Sequence, residues 1–242
     1  MNKLHPADLM NCVRGLPAEL IYVMSNITSE RLCVAGGYIT STILGKEFSD
    51  IDIFIKNPGD HVSIRSDLRV AAGDPNMACI ETNNAITLKG FNPNIQIIHK
   101  WTFRSPKEAA DSFDFTCCAV AIWFDSVKGE WDSYCVDTYY SDLAAKRIVY
   151  QFPTREENPS HSITRIQKYI KKGYTIDSDS LAGMLARFFN SVQNGSLMQE
   201  KELNDKIYSA LNEGDDYPDD AMRVGTQARF EQWLNAQTNG PV

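Results

Sequence analysis

Val34 to Ile55 reads VAGGYITSTILGKEFSDIDIFI, and the fold is decided there. Gly36-Gly37 form a turn, and thirteen residues after it Asp50 and Asp52 flank one isoleucine at the head of an apolar run. By periodicity, Arg31 to Ala35 is a short strand, Tyr38 to Leu44 a turn or two of helix, and Asp50 to Lys56 a strand whose alternate residues point to opposite faces. Asp50 and Asp52 therefore share one face while Ile51 and Ile53 enter a core. Two carboxylates held a few ångströms apart repel, which raises one pKa unless a cation lies between them. A hard divalent ion, Mg2+ or Mn2+, suits such oxygen ligands and completes its shell with water and phosphate oxygens.

The Gly-Gly turn supplies the other half of a site. Glycines at a helix start let a phosphate approach the backbone, and the first N–H groups of the helix attract anions. Gly36 and Gly37 are thus candidates to cradle phosphates, with Thr40, Ser41 and Thr42 adding hydroxyl donors. A phosphate cradle followed by a metal-binding Asp-x-Asp strand is apparatus for nucleotidyl transfer. The pattern of a Gly-Gly turn followed by h-Asp-h-Asp-h, with h hydrophobic, resembles the DNA polymerase β-like nucleotidyltransferase superfamily, nearest to its poly(A) polymerase and CCA-adding branch. That resemblance implies an NTP substrate, with ATP favoured, and an RNA, tRNA-like acceptor. A protein acceptor is the alternative.

The net charge of -7 argues against a protein that coats polyanions, which carries a basic excess. No apolar run approaches the ~20 residues that span a bilayer, and Met1 to Leu16 lacks a signal-peptide core, so a cytoplasmic chain without membrane contact is expected. The six cysteines show no C-x-x-C spacing and read as reduced, buried thiols.

Periodicity gives residues 1–152 an α+β character, and the resemblance implies that they form a nucleotidyltransferase palm, a mixed sheet flanked by helices. Expected elements are a helix over Pro17 to Ser25, a helix over His61 to Ala72, and strands over Ala85 to Lys89 and Ile95 to Lys100. A capped helix follows at Ser105 to Ser112, then a long apolar strand from Phe113 to Phe124 partnered by Tyr134 to Thr138. From Pro153 strand signals stop, and residues 153–242 read as an all-helical domain: Ser162 to Lys172, Ser180 to Gln193, Gln199 to Asn212 and Ala221 to Ala236.

A two-cation site calls for a third carboxylate. Asp114, alone in the apolar Phe113 to Phe124 run, is the candidate catalytic and metal ligand, and Asp137 is its rival. Ile95-Gln96-Ile97 lies where many superfamily members place the third acid, and it carries Gln96 instead. Asp142-Leu143-Ala144-Ala145-Lys146-Arg147-Ile148 resembles the Asp-Leu-x-x-Gly segment that follows the palm in the CCA-adding branch, with the glycine missing. In the segment resembling that branch's neck, Arg165, Lys168 and Lys172 fall at i, i+3 and i+7 on one helical face. Arg165 and Lys168 are candidates for the triphosphate, and Lys171 and Lys172 for the acceptor backbone. Three activities remain open: nucleotidyl transfer to RNA, an idle binding or regulatory protein on the same fold, and a toxin-like enzyme that nucleotidylates a protein or tRNA.

Overall fold

The structure is a computed structural model that describes residues 2–27, 31–151, 153 and 160–192. The chain opens with α1 (Pro6–Arg14) and α2 (Ala18–Tyr22), the latter running into a π turn over Val23–Ile27. Strand β1 (Leu32–Ala35) leads through the glycine turn to α3 (Gly37–Ile43), then to β2 (Asp50–Ile55) and α4 (Asp60–Ala71). The short β3 (Cys79–Glu81) precedes a hairpin of β4 (Ala85–Leu88) and β5 (Asn94–Thr102). Helix α5 (Pro106–Asp111) begins as its sequence requires: Pro106 opens it, the Ser105 hydroxyl accepts the Glu108 N–H at 3.2 Å, and the Glu108 carboxylate accepts the Arg104 N–H at 2.8 Å.

The expected strand from Phe113 to Phe124 is broken. A 3-10 turn occupies Thr116–Cys118, and β6 runs only from Val120 to Asp125, paired with β7 (Glu130–Cys135). Apolar character is continuous there because every segment of the run is buried, not because all of it is extended. The chain then forms α6 (Tyr139–Ala144), β8 (Arg147–Ile148), α7 (Ser160–Lys171), β9 (Thr175–Ile176) and α8 (Ser178–Val192). The expected helices over Gln199 to Asn212 and Ala221 to Ala236 lie outside the described residues.

The main sheet has seven strands in the order β3-β4-β5-β2-β1-β6-β7, with β2 and β5 parallel and the other pairs antiparallel. β2 is central, which buries Ile51, Ile53 and Ile55 completely on one face against α3, α4 and the N-terminal helices. The other face carries Cys33 and Ala35 from β1, Phe54 from β2 and Ala121 from β6, and α5 covers it with Ala109 and Ala110. The residue-152 division does not interrupt the packing. Ile166, Tyr174 and Met184 join the palm's main core, and β8 pairs with β9 in parallel across the division.

Candidate active site

β2 presents Asp50 and Asp52 on the same face as Phe54 while its isoleucines fill the opposite core. Asp50 and Asp52 are half-buried. Burial, foremost, and the neighbouring Asp50 carboxylate push the Asp52 pKa up to about 7. Among the described residues no Lys or Arg pairs with either carboxylate; Asp50 accepts a long 3.5 Å contact from the Asn94 side-chain amide. Two hard oxygen donors under mutual repulsion, without an organic cation, fit a divalent ion.

The register brings the glycine turn to this pair. β1 and β2 run antiparallel with Val34 facing Ile53, so one step further Ala35 lies beside Asp52 and the turn comes beside Asp50. Gly36 caps α3 with φ 80° and ψ -131°, a conformation that L side chains rarely adopt. A Cβ there would also lie 2.7 Å from the Phe113 ring, so two independent reasons hold glycine at this position. The Gly36 N–H donates to Val120 O at 3.0 Å, which anchors the turn to β6. Gly37 is exposed, has open space around its Cα, and opens the first turn of α3.

The expected hydroxyl donors divide. Thr40 is buried, donating to Cys117 O at 3.0 Å and lying 3.2 Å from the Tyr139 hydroxyl. It holds α3 against the 3-10 turn and α6. Ser41 is half-buried on the next position of the helix.

The expected third carboxylate is not brought to the pair. Asp114 lies in the bend before the 3-10 turn, fully buried, with its Oδ2 at 2.9 Å from Arg165 Nε. The approach is an ion pair whose alignment falls short of a hydrogen bond. Among the described residues no three His, Cys, Asp or Glu side chains gather to hold a metal. Asp114 and Arg165 thus hold each other across the seam between palm and α7. The physical reason is burial, since a carboxylate sealed from water requires a cation and α7 supplies one. Asp137 is exposed beyond the end of β7. Lys168 and Lys171 are exposed on the later turns of α7 and Lys172 just past its end, with the Lys172 ammonium 5.9 Å from the Tyr169 ring centroid.

Residues 10–146 match the family described as Gad2, Gabija anti-defense 2. The chain belongs to the Gabija anti-defense 2 family. A curated relative, Gabija anti-defense 2 of Bacillus phage SPbetaL7, is 27% identical over 143 residues, covering 59% of this chain. The chain accounts for about a third, 34%, of that relative's length. In fold the chain is similar to the Thermotoga maritima CCA-adding enzyme complexed with tRNA, with a TM-score of 0.55 and 15% identity over 100% of this chain and 64% of that one. A CCA-adding enzyme with ATP gives a TM-score of 0.55 at 14% identity over 100% and 64% of the two chains. Another with CTP gives 0.53 at 17% over 94% and 54%. At these identities the likeness is one of architecture: the fold is that of the polymerase β-like nucleotidyltransferases.

This family member also contains site features that residue-type arguments alone do not reveal. Asn94 and Gln96 of β5 stand in register with Asp50 and Asp52, so each acid has an amide beside it on the adjacent parallel strand. The Gln96 substitution was legible against the superfamily pattern, but its placement next to Asp52 required the strand pairing. The Phe113 ring bridges the site and its floor, touching the Gly36 position and packing edge-on against Phe54 at 5.6 Å. Asp142, fully buried, accepts from Arg147 Nε at 2.9 Å and from the Thr116 hydroxyl at 2.5 Å, locking the resemblance segment after the palm into the core.

Proposed function

We propose that the chain is a divalent-cation-dependent nucleotidyltransferase that moves NMP from an NTP, ATP favoured, to an acceptor hydroxyl on a tRNA-like RNA. The observation that carries this reading is the Asp50 and Asp52 pair on one sheet face beside the Gly36-Gly37 turn. In the reaction the acceptor hydroxyl gives up its proton to water as its oxygen bonds to the α-phosphorus, the bond to the bridging β-phosphate oxygen breaks, and pyrophosphate leaves with its electron pair. Asp50 and Asp52 would hold Mg2+ or Mn2+, which would supply charge stabilisation at the reacting phosphate. Gly37 and the first turn of α3 offer N–H groups to the triphosphate. Exposed Lys171 and Lys172 offer charge that suits an acceptor backbone, and Lys168, nearer Arg165 on the helix, suits the triphosphate.

A second reading has its own support. The family is described by its anti-defense role, and Gln96 replaces an acid beside Asp52, both of which fit a regulatory protein that uses this fold to bind without turnover. On either reading we propose that the chain counters Gabija, as its relative's name states of that protein. Incubation with each labelled NTP, Mg2+ or Mn2+, and total cellular RNA or protein separates the cases. Label in RNA supports the first reading, label in protein moves the acceptor to a side chain, and no label with retained nucleotide binding selects the idle form.

A further inference from the structure

We infer that this site holds a single divalent cation with its nucleoside triphosphate, because an amide stands where a second cation needs a carboxylate; the inference rests on the nucleotidyltransferase reading above. β2 and β5 are parallel with Asp52 facing Gln96, so Gln96 is the residue beside Asp52 on the neighbouring strand of the same face. The other neighbours on that face are Asn94 and Ile98 of β5, Ala35 of β1 and Phe54 of β2, none of them acidic. Asp114 is held by Arg165 in the seam below α7. Asp137 follows β7, which lies three strands from β2 in the sheet, about 14 Å at the usual strand spacing.

Charge then sets the stoichiometry. Asp50 and Asp52 together carry two negative charges, which one divalent ion balances. A second ion would share the same four oxygens, face the first across them, and gain from Gln96 a neutral carbonyl in place of an anionic ligand. The cation that arrives with the triphosphate has phosphate oxygens to compensate. One that serves the acceptor hydroxyl has none. The side-chain NH2 of Gln96 can instead donate to a carboxylate or phosphate oxygen, a role no carboxylate performs.

The test is the number of Mn2+ ions bound per full-length chain, read by electron paramagnetic resonance and isothermal titration with an NTP analogue that cannot be cleaved between its α- and β-phosphates. The expected result is one ion for the natural chain and two for Gln96→Glu, whose added carboxylate completes the second set. Two ions in the natural chain overturn the inference and leave the proposed function standing. One ion in both chains overturns the assignment to Gln96. No ion above that held by the free analogue overturns the proposed function itself, and the inference with it.

Discussion

Asp52 and Asp114 are both carboxylates inside an apolar run, yet the molecule treats them oppositely. Asp114 is completely buried and meets Arg165 at 2.9 Å, whereas Asp52 is half-buried, stands beside Asp50, and has no basic residue paired with it among the described residues. The Asp114 pair joins two elements, and its charge is consumed in doing so. The Asp50 and Asp52 pair joins nothing and costs folding energy through repulsion and desolvation. A charge that stabilises the fold announces itself by its partner, and one that serves chemistry by the partner it lacks. The contrast therefore predicts opposite outcomes when each is neutralised.

The largest effect is expected at the open face. On the proposed function, Asp50→Asn and Asp52→Asn should each reduce nucleotidyl transfer on the order of a thousandfold or more, several kcal/mol of lost stabilisation at the reacting phosphate. Their metal-free melting temperatures should equal or exceed that of the natural chain. The pH dependence sharpens this. Asp52 is raised from its ordinary 3.8 to about 7, so the folded state binds a proton that the unfolded state releases. Its contribution favours folding below the unfolded value and is lost as pH rises through the folded one. Without metal, the melting temperature of the natural chain should fall relative to Asp52→Asn between about pH 4 and 7, and Mg2+ should restore it at pH 7. Parallel curves for the two chains would remove Asp52 from the strained pair.

At the seam the sign reverses. Asp114→Ala removes the buried partner of the seam's ion pair, and should cost roughly 1–3 kcal/mol of stability. Divalent-ion affinity in the surviving folded protein should stay within about twofold, measured by titration below its melting point. A large loss of ion affinity with unchanged stability would return Asp114 to the site.

Between these lies the glycine turn. Gly36→Ala places a Cβ 2.7 Å from the Phe113 ring at φ 80°, for an expected loss of about 1–3 kcal/mol. Gly37→Ala meets open space and should change stability by well under that, so any loss of NTP affinity in Gly37→Ala reports on the cradle rather than on folding. Equal denaturation midpoints for the two variants would show that Phe113 yields, and that the turn is not held as described.

How much of this was legible follows from the range of each interaction. The glycine turn, the Asp-x-Asp strand and the Ser105 cap are written within a few residues, and the structure reproduces them. The break in the Phe113 to Phe124 run was not legible, because a continuous apolar string has no period to separate a strand from a buried turn. Helices α1 and α6 are no more legible: nine and six residues of mixed character offer a weak pattern. At the site, the acids were visible but their partners were not. Asp114 and Arg165 meet only through the docking of α7, and Gln96 stands beside Asp52 only through the parallel pairing of β2 with β5.

The smallest prediction returns to the segment that resembles the CCA-adding branch but lacks its glycine. Lys146 occupies that position, and among the described residues it is the one non-glycine at positive φ, 49°. The conformation is imposed by its main chain. The Lys146 N–H donates to Leu143 O at 3.2 Å as α6 ends, and its carbonyl accepts from Thr175 N at 2.9 Å, tying the end of α6 to β9. A left-handed residue with a Cβ costs about 1–2 kcal/mol, and glycine returns about 0.5–1 kcal/mol of that in unfolded-state entropy. The Lys146 side chain is exposed, so its removal sacrifices little packing. Lys146→Gly should therefore stabilise the chain by roughly 0.5–1 kcal/mol, raising the melting temperature by about 1–4 °C with the denaturant slope unchanged. A lower melting temperature would mean that the lysine contributes more than its backbone strain costs, through the ammonium that lies over Gly173. Lys146→Asn discriminates the two, since asparagine tolerates the left-handed region without supplying the charge.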